Sequence, residues 1–214
     1  MSAFGEWVEE LLFPKRYACL LCGREAVPGE DGVCEDCRKT LVRVKSFRKL
    51  DLVGTVPAAF SYEGAARVAM HRFKYMGSPW LADYFMSYVH LEEPERFDCI
   101  VPVPMHPFKR YLRRYSPAEL LARALSERYG IPVETGLLER TRLTASQTKK
   151  SRLERTQVLS RVYRANPAIA GKNVLIVDDV VTTGSTLLAC AAVCLQAGAE
   201  SVAAACACDT PEKS

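Results

Sequence analysis

Two adjacent carboxylates, Asp178 and Asp179, follow the apolar run Val174-Leu-Ile-Val. Such a run reads as a buried strand that delivers both acids to its carboxyl end, where open parallel sheets bind their ligands. Behind them come Thr182, Thr183, Gly184, Ser185 and Thr186, and then an apolar helix pattern over 185–197. Free amides at a helix start, with the dipole behind them, make an anion site. The hydroxyls add donors, and Gly184 lets the backbone approach a phosphate closely. Two acids beside a phosphate cradle would repel the phosphate itself. They make sense if the ligand also offers hydroxyls, as ribose does, or brings Mg²⁺. The chain has neither Gly-x4-Gly-Lys-Ser/Thr nor Gly-x-Gly-x-x-Gly, so a nucleotide P-loop and a dinucleotide fingerprint are excluded.

A second segment, Asp98-Cys-Ile-Val-Pro-Val-Pro-Met-His, reads as a strand entering a loop stiffened by Pro102 and Pro104, with Lys109 and Arg110 close behind. A rigid loop with nearby cations suits an anionic ligand.

A different chemistry stands near the N-terminus. Cys19-Leu-Leu-Cys22-Gly and Cys34-Glu-Asp-Cys37 are two Cys-x-x-Cys knuckles with 11 residues between Cys22 and Cys34. Each knuckle can place two thiolates on one ion, and the pair completes a tetrahedral, closed site for structural Zn²⁺. The other five of the nine cysteines lie in apolar surroundings and read as small core residues.

Basic residues gather in two clusters. One is Lys109, Arg110, Arg113 and Arg114 with Phe108, Tyr111 and Tyr115 interleaved; the other runs from Arg140 to Arg164. A solvated face, a loop closing over a polyphosphate, and a track for a nucleic-acid backbone with stacking aromatics all fit such a pattern.

The elements that must hold these groups alternate. Strands are expected over 56–62, 99–103, 174–177 and 201–208, with a short one at 136–138. Helices are expected over 65–74, 80–90, 118–129 and 185–197. This implies an α/β fold with a mostly parallel sheet and flanking helices. Residues 41–52 read as a basic linker, and 139–161 as a loop or exposed helix. The expected division is 1–45, a helix and zinc ribbon, and 46–214, the α/β domain. With 214 residues, 49% of them apolar, the chain can bury one full core plus a small appendage. The net charge of +4 names no partner. The N-terminus lacks a cationic start and apolar run, and no stretch nears the ~20 apolar residues of a membrane span. A soluble protein in the reducing cytoplasm is the expectation.

The order of apolar run, acid pair and hydroxyl turn resembles the phosphoribosyl pyrophosphate (PRPP) signature of type I phosphoribosyltransferases. That resemblance implies Asp178 and Asp179 as ribose ligands central to any catalysis. It assigns the 5-phosphate to the loop of Val180, Thr182, Thr183, Gly184, Ser185 and Thr186, and pyrophosphate to the loop of Pro104, with Lys74 and Arg110 as cations. As a whole the chain resembles the ComF family of competence-associated proteins. The likeness runs through both Cys pairs, Phe73-Lys-Tyr with Gly77, Val101-Pro-Val-Pro, Arg140-x3-Thr-x2-Gln147, Arg155 and the Asp178 segment. Two places depart from it. The family commonly has Arg-Gly-Phe-Asn where this chain has Arg114-Tyr-Ser-Pro, and an Asn where Gln157 stands.

The resemblance implies a PRPP-binding protein linked to DNA uptake in natural transformation, with single-stranded DNA and the uptake machinery as partners. The alternative is an active phosphoribosyltransferase with an unidentified acceptor. Zn²⁺ in the ribbon and Mg²⁺ with PRPP are the implied ions, and a homodimer is left open. The segment after the last strand is too short to build a base-recognising hood. The region 45–96 or the ribbon would have to supply one.

Overall fold

The computed structural model describes residues 17–106, 110–111, 113–141 and 162–211. A small antiparallel ribbon comes first, β1 (Tyr17–Ala18) on β2 (Glu25–Ala26), followed by the short helix α1 (Glu35–Thr40). Next, β3 (Arg48–Leu50) folds back on β4 (Gly54–Val56). The stretch read as a linker is therefore partly a hairpin, and Gly54 takes the positive φ of 69° that its turn requires.

The main sheet has four parallel strands in the order β5 (Ala58–Ser61), β10 (Ser201–Asp209), β9 (Asn173–Val181), β6 (Cys99–Pro102). The helices are α2 (Gly64–Tyr75), α3 (Leu81–Ser87), α4 (Pro117–Tyr129) and α5 (Ser185–Gln196). A second hairpin joins β7 (Leu138–Arg140) to β8 (Tyr163–Ala165). The short strand expected at 136–138 thus lies two residues later, and most of the basic segment 139–161 falls outside the described residues.

Alternation along β9 splits the core in two. Leu175 and Val177 face a cluster built from α2, α3 and α4, with Phe73, Phe85 and Leu121 at its heart. Val174 and Ile176 face Leu187, Cys190 and Cys194 of α5. Burial on both faces is what a central parallel strand demands. Leu21, Val33 and three of the ribbon cysteines belong to the α2 cluster, so the ribbon borrows its core from the larger body. Cys99, Cys190, Cys194, Cys206 and Cys208 are all buried, as core thiols should be. No helix among the described residues is long and apolar enough to cross a membrane.

Candidate PRPP cradle and cysteine centre

β9 is longer than the apolar run alone suggests. It continues through both acids to Val181, because β10 pairs with it as far as Asp209↔Val181. Asp178 and Asp179 therefore sit on a paired strand and inherit its alternation. Asp178 falls on the α5 side and Asp179 on the α2 side. There Lys74 Nζ reaches an Asp179 carboxylate oxygen at 2.6 Å, with both side chains largely covered.

On the other side, Asp178 Oδ1 accepts the Asp179 amide at 2.8 Å. Burial first, and the Asp179 charge second, push its pKa up to about 7. Tyr163 on β8 shares this environment, and burial raises it to about 12. Burial and the Asp178 charge also lift Cys190 and Cys206 well above the usual thiol range, which makes both unreactive.

Past Val181 the chain turns through Thr182 and Thr183, both exposed, to Gly184 at φ 77°. Thr183 Oγ1 and Ser185 Oγ share a hydrogen bond of 2.7 Å, and α5 starts with Leu188 N donating to Gly184 O at 2.9 Å. Gly184 serves a second purpose. A Cβ there would come within 2.5 Å of Leu50 on β3, so the hairpin read as a linker presses on the turn. One residue pair along the same strand, Arg48 clamps Asp209 at the end of β10 through Nε (3.0 Å) and Nη2 (2.9 Å), and Nη2 also donates to Thr210 O at 2.8 Å.

Beneath the hairpin lies an open groove of about 590 Å³, lined by Arg43, Lys45, Phe47, Arg48, Lys49, Ser61, Asp209 and Thr210 among others. It opens beyond β10 and β5. The Pro104 loop leaves β6, on the opposite side of β9. Sequence reasoning missed Arg48, Leu50 and Asp209. The alternation of Arg48 and Leu50 ahead of Gly54 was the available signal.

Pro104 and Arg110 meet in a smaller cavity of about 300 Å³. There Arg110 is engaged by Glu119, through Nη1 at 2.6 Å and Nη2 at 3.2 Å. Lys109 lies outside the described residues. Arg114 has φ 65°, a conformation that favours glycine. Tyr115 packs on Phe73, and Ser116 caps α4 by accepting the Glu119 amide.

The cysteine centre assembles as expected. The Sγ atoms of Cys19, Cys22, Cys34 and Cys37 all lie within 4.8 Å of one another. Cys22 and Cys34 are 3.9 Å apart, close to the ~3.8 Å edge of a tetrahedron with 2.3 Å Zn–S bonds. Gly23 takes φ 71° at the knuckle turn. Burial works against the Cys22 thiolate, yet hydrogen bonds from Arg24 and from Cys19 and Cys37 bring its pKa down to about 6. Four soft donors at this spacing fit Zn²⁺, whose bonds would hold both knuckles in place of a core.

Comparison with known proteins agrees with this architecture. The family model for the phosphoribosyl transferase domain matches residues 115–214. Competence protein F of Haemophilus influenzae is 27% identical over 79% of this chain and 74% of its own length. Competence protein ComFC of Bacillus subtilis is 27% identical over 80% of this chain and 68% of its own length. DNA utilization protein YhgH of Escherichia coli is 35% identical over 53% of this chain, which spans half of that protein. With a phosphoribosyltransferase-like sheet behind an N-terminal cluster of four cysteines, the chain is a homologue of the ComF competence proteins.

Proposed function

We propose that this chain binds Mg·PRPP on the β9–α5 turn and takes part in handling single-stranded DNA during uptake. The observation that carries the first half is the placement of Asp178 and Asp179 one turn before an open hydroxyl loop at a helix start. In this reading both acids accept the ribose hydroxyls, and Mg²⁺ arrives bound to PRPP. Val180, Thr182, Thr183, Gly184, Ser185 and Thr186 cradle the 5-phosphate with amides and hydroxyls. Pro104 stiffens the pyrophosphate side. Lys74, which stays paired with Asp179, and Arg110, which exchanges Glu119 for the ligand, supply charge there.

The DNA half rests on the names of the relatives and on one surface. Tyr75 is 61% exposed with the Arg113 guanidinium 4.5 Å from its ring centroid, and Tyr111, two residues before Arg113 in the chain, is 83% exposed. Exposed aromatics beside arginines are how proteins stack on and track single strands. Oligonucleotide binding that weakens steeply with salt, and drops on Tyr75→Ala/Tyr111→Ala, is the expected result. Salt-insensitive binding, or binding unchanged in that variant, would refute it.

A specific observation favours a second reading, transfer of phosphoribose to an acceptor. In-line displacement at C1 needs the nucleophile and the leaving pyrophosphate on opposite sides. The Arg48–Asp209 groove and the Pro104 loop lie on opposite sides of β9. Four basic residues line the groove, which suits an anionic acceptor. Pyrophosphate release from Mg·PRPP across a panel of anionic ring compounds separates the readings. Turnover supports the transferase. Binding without turnover leaves PRPP as a signal.

A further inference from the structure

The last turn of α2 touches both chemical centres of the chain. Arg72 Nη1 donates to the carbonyl oxygens of Leu20 at 2.7 Å and Leu21 at 3.0 Å, the two residues between Cys19 and Cys22. Its guanidinium packs so closely on the knuckle that a Cβ at Gly23 would come within 2.8 Å of it. Two residues later, Lys74 pairs with Asp179 of the cradle. Between them Phe73 is fully buried, and its carbonyl accepts a hydrogen bond from the Tyr115 hydroxyl. Two steps of about 100° put Arg72 and Lys74 on opposite sides of the helix. One side of this turn is thus bolted to the first Cys-x-x-Cys and the other to the ribose-binding acid.

We propose that Arg72 is a positioning residue that couples metal occupancy at Cys19, Cys22, Cys34 and Cys37 to Mg·PRPP affinity at the cradle. The inference rests on the zinc and PRPP readings above and adds a link between them. Metal–thiolate bonds fix the Leu20 and Leu21 carbonyls. Those carbonyls fix Arg72, and a rigid helical turn carries the constraint to Lys74 and Asp179. Without metal the knuckle loses its thiolate staple, the carbonyls lose their fixed positions, and Lys74 loses the geometry that organises Asp179. Coupling of this kind is reciprocal, so Mg·PRPP must in turn tighten the metal.

The test uses the full chain, zinc-loaded and zinc-stripped, as wild type, Arg72→Ala and Arg72→Lys. Calorimetry gives Mg·PRPP affinity, a metal assay gives zinc content, and a zinc-selective dye gives zinc affinity with and without Mg·PRPP. The expected result is that Arg72→Ala keeps one zinc but binds Mg·PRPP roughly five- to tenfold more weakly, within the usual range of coupled sites. Arg72→Lys recovers part of that loss, and zinc stripping of the wild type mimics it. Mg·PRPP raises zinc affinity in the wild type and not in Arg72→Ala. If the wild type binds Mg·PRPP but its zinc affinity does not respond, the coupling is wrong and the cradle stands; this measurement needs no variant to fold. Wild-type affinity for Mg·PRPP in zinc-loaded Arg72→Ala overturns the coupling equally. A wild type that binds no Mg·PRPP at all removes the cradle reading and the coupling with it.

Discussion

Lys74 Nζ stands 2.6 Å from a carboxylate oxygen of Asp179, and this pair ties α2 to the strand carrying both candidate ribose ligands. Both side chains are more than four-fifths covered, so the pair is poorly screened by solvent. Lys74→Met should weaken Mg·PRPP binding by about tenfold, the size of one charge-assisted contact. In a double-mutant cycle with Asp179→Asn the two losses should not add, with a coupling of about 0.5–3 kcal/mol. Strict additivity would show that the two residues act independently.

Asp178 makes the cradle sensitive to pH. Its folded pKa of about 7 stands above the ordinary carboxylate value of ~3.9, owing to burial and then to Asp179. The folded state therefore holds this proton more tightly than the unfolded chain does. The stability so gained is present below pH ~4 and is lost as pH rises toward 7. Asp178→Asn should accordingly melt a few °C higher than wild type at pH 8, with the curves converging near pH 4. Wild-type affinity for Mg·PRPP should rise between pH 6 and 8 as the carboxylate forms. The ligand's own phosphate titrates near pH 6, so the Asn variant is the control. An equal pH profile in both proteins would remove Asp178 from the binding step.

The cysteine centre predicts stoichiometric metal. Purified chain should carry one Zn²⁺, and Cys34→Ser should lose it and melt cooperatively at a much lower temperature, since structural zinc supplies folding energy outright. The side chains of Leu21 and Val33 lie in the α2 core cluster, so the damage should spread beyond the ribbon. Amide exchange in α2 reads that spread. Metal-free wild type with an undisturbed melt would contradict the assignment.

Arg114 offers a stability test that is read without any ligand present. At φ 65° a non-glycine residue is strained by about 1–2 kcal/mol. Arg114→Gly should recover roughly 1 kcal/mol in denaturant unfolding, net of the entropy glycine adds to the unfolded chain. A destabilised variant would mean that the Arg114 side chain contributes contacts outweighing its backbone strain.

The elements of the sheet were legible because their signals are local. Val174-Leu-Ile-Val is a buried run, and the helical pattern over 118–129 stops at Gly130, whose φ of 72° ends α4. The length of β9 was not legible, since acids rarely continue a strand. Only pairing with β10 across a separation of 28 residues carries it to Val181. The β3–β4 hairpin was hidden for a similar reason. Its first strand opens on two basic residues, Arg48 and Lys49, and what holds it is distant: Arg48 on Asp209 and Leu50 on Gly184. Within the site, the types and order of Asp178, Asp179 and the hydroxyl turn could be read directly. Which acid pairs with Lys74 could not, because that follows from β9 alternation and from α2 lying on one face of the sheet.

Calorimetry of Mg·PRPP binding to wild type and to Asp178→Asn/Asp179→Asn tests the centre of this account. The wild type should bind with one site per chain, and the double variant should lose at least tenfold in affinity while keeping its zinc and its fold. Equal affinity in the two proteins, or no binding by the wild type, would contradict it.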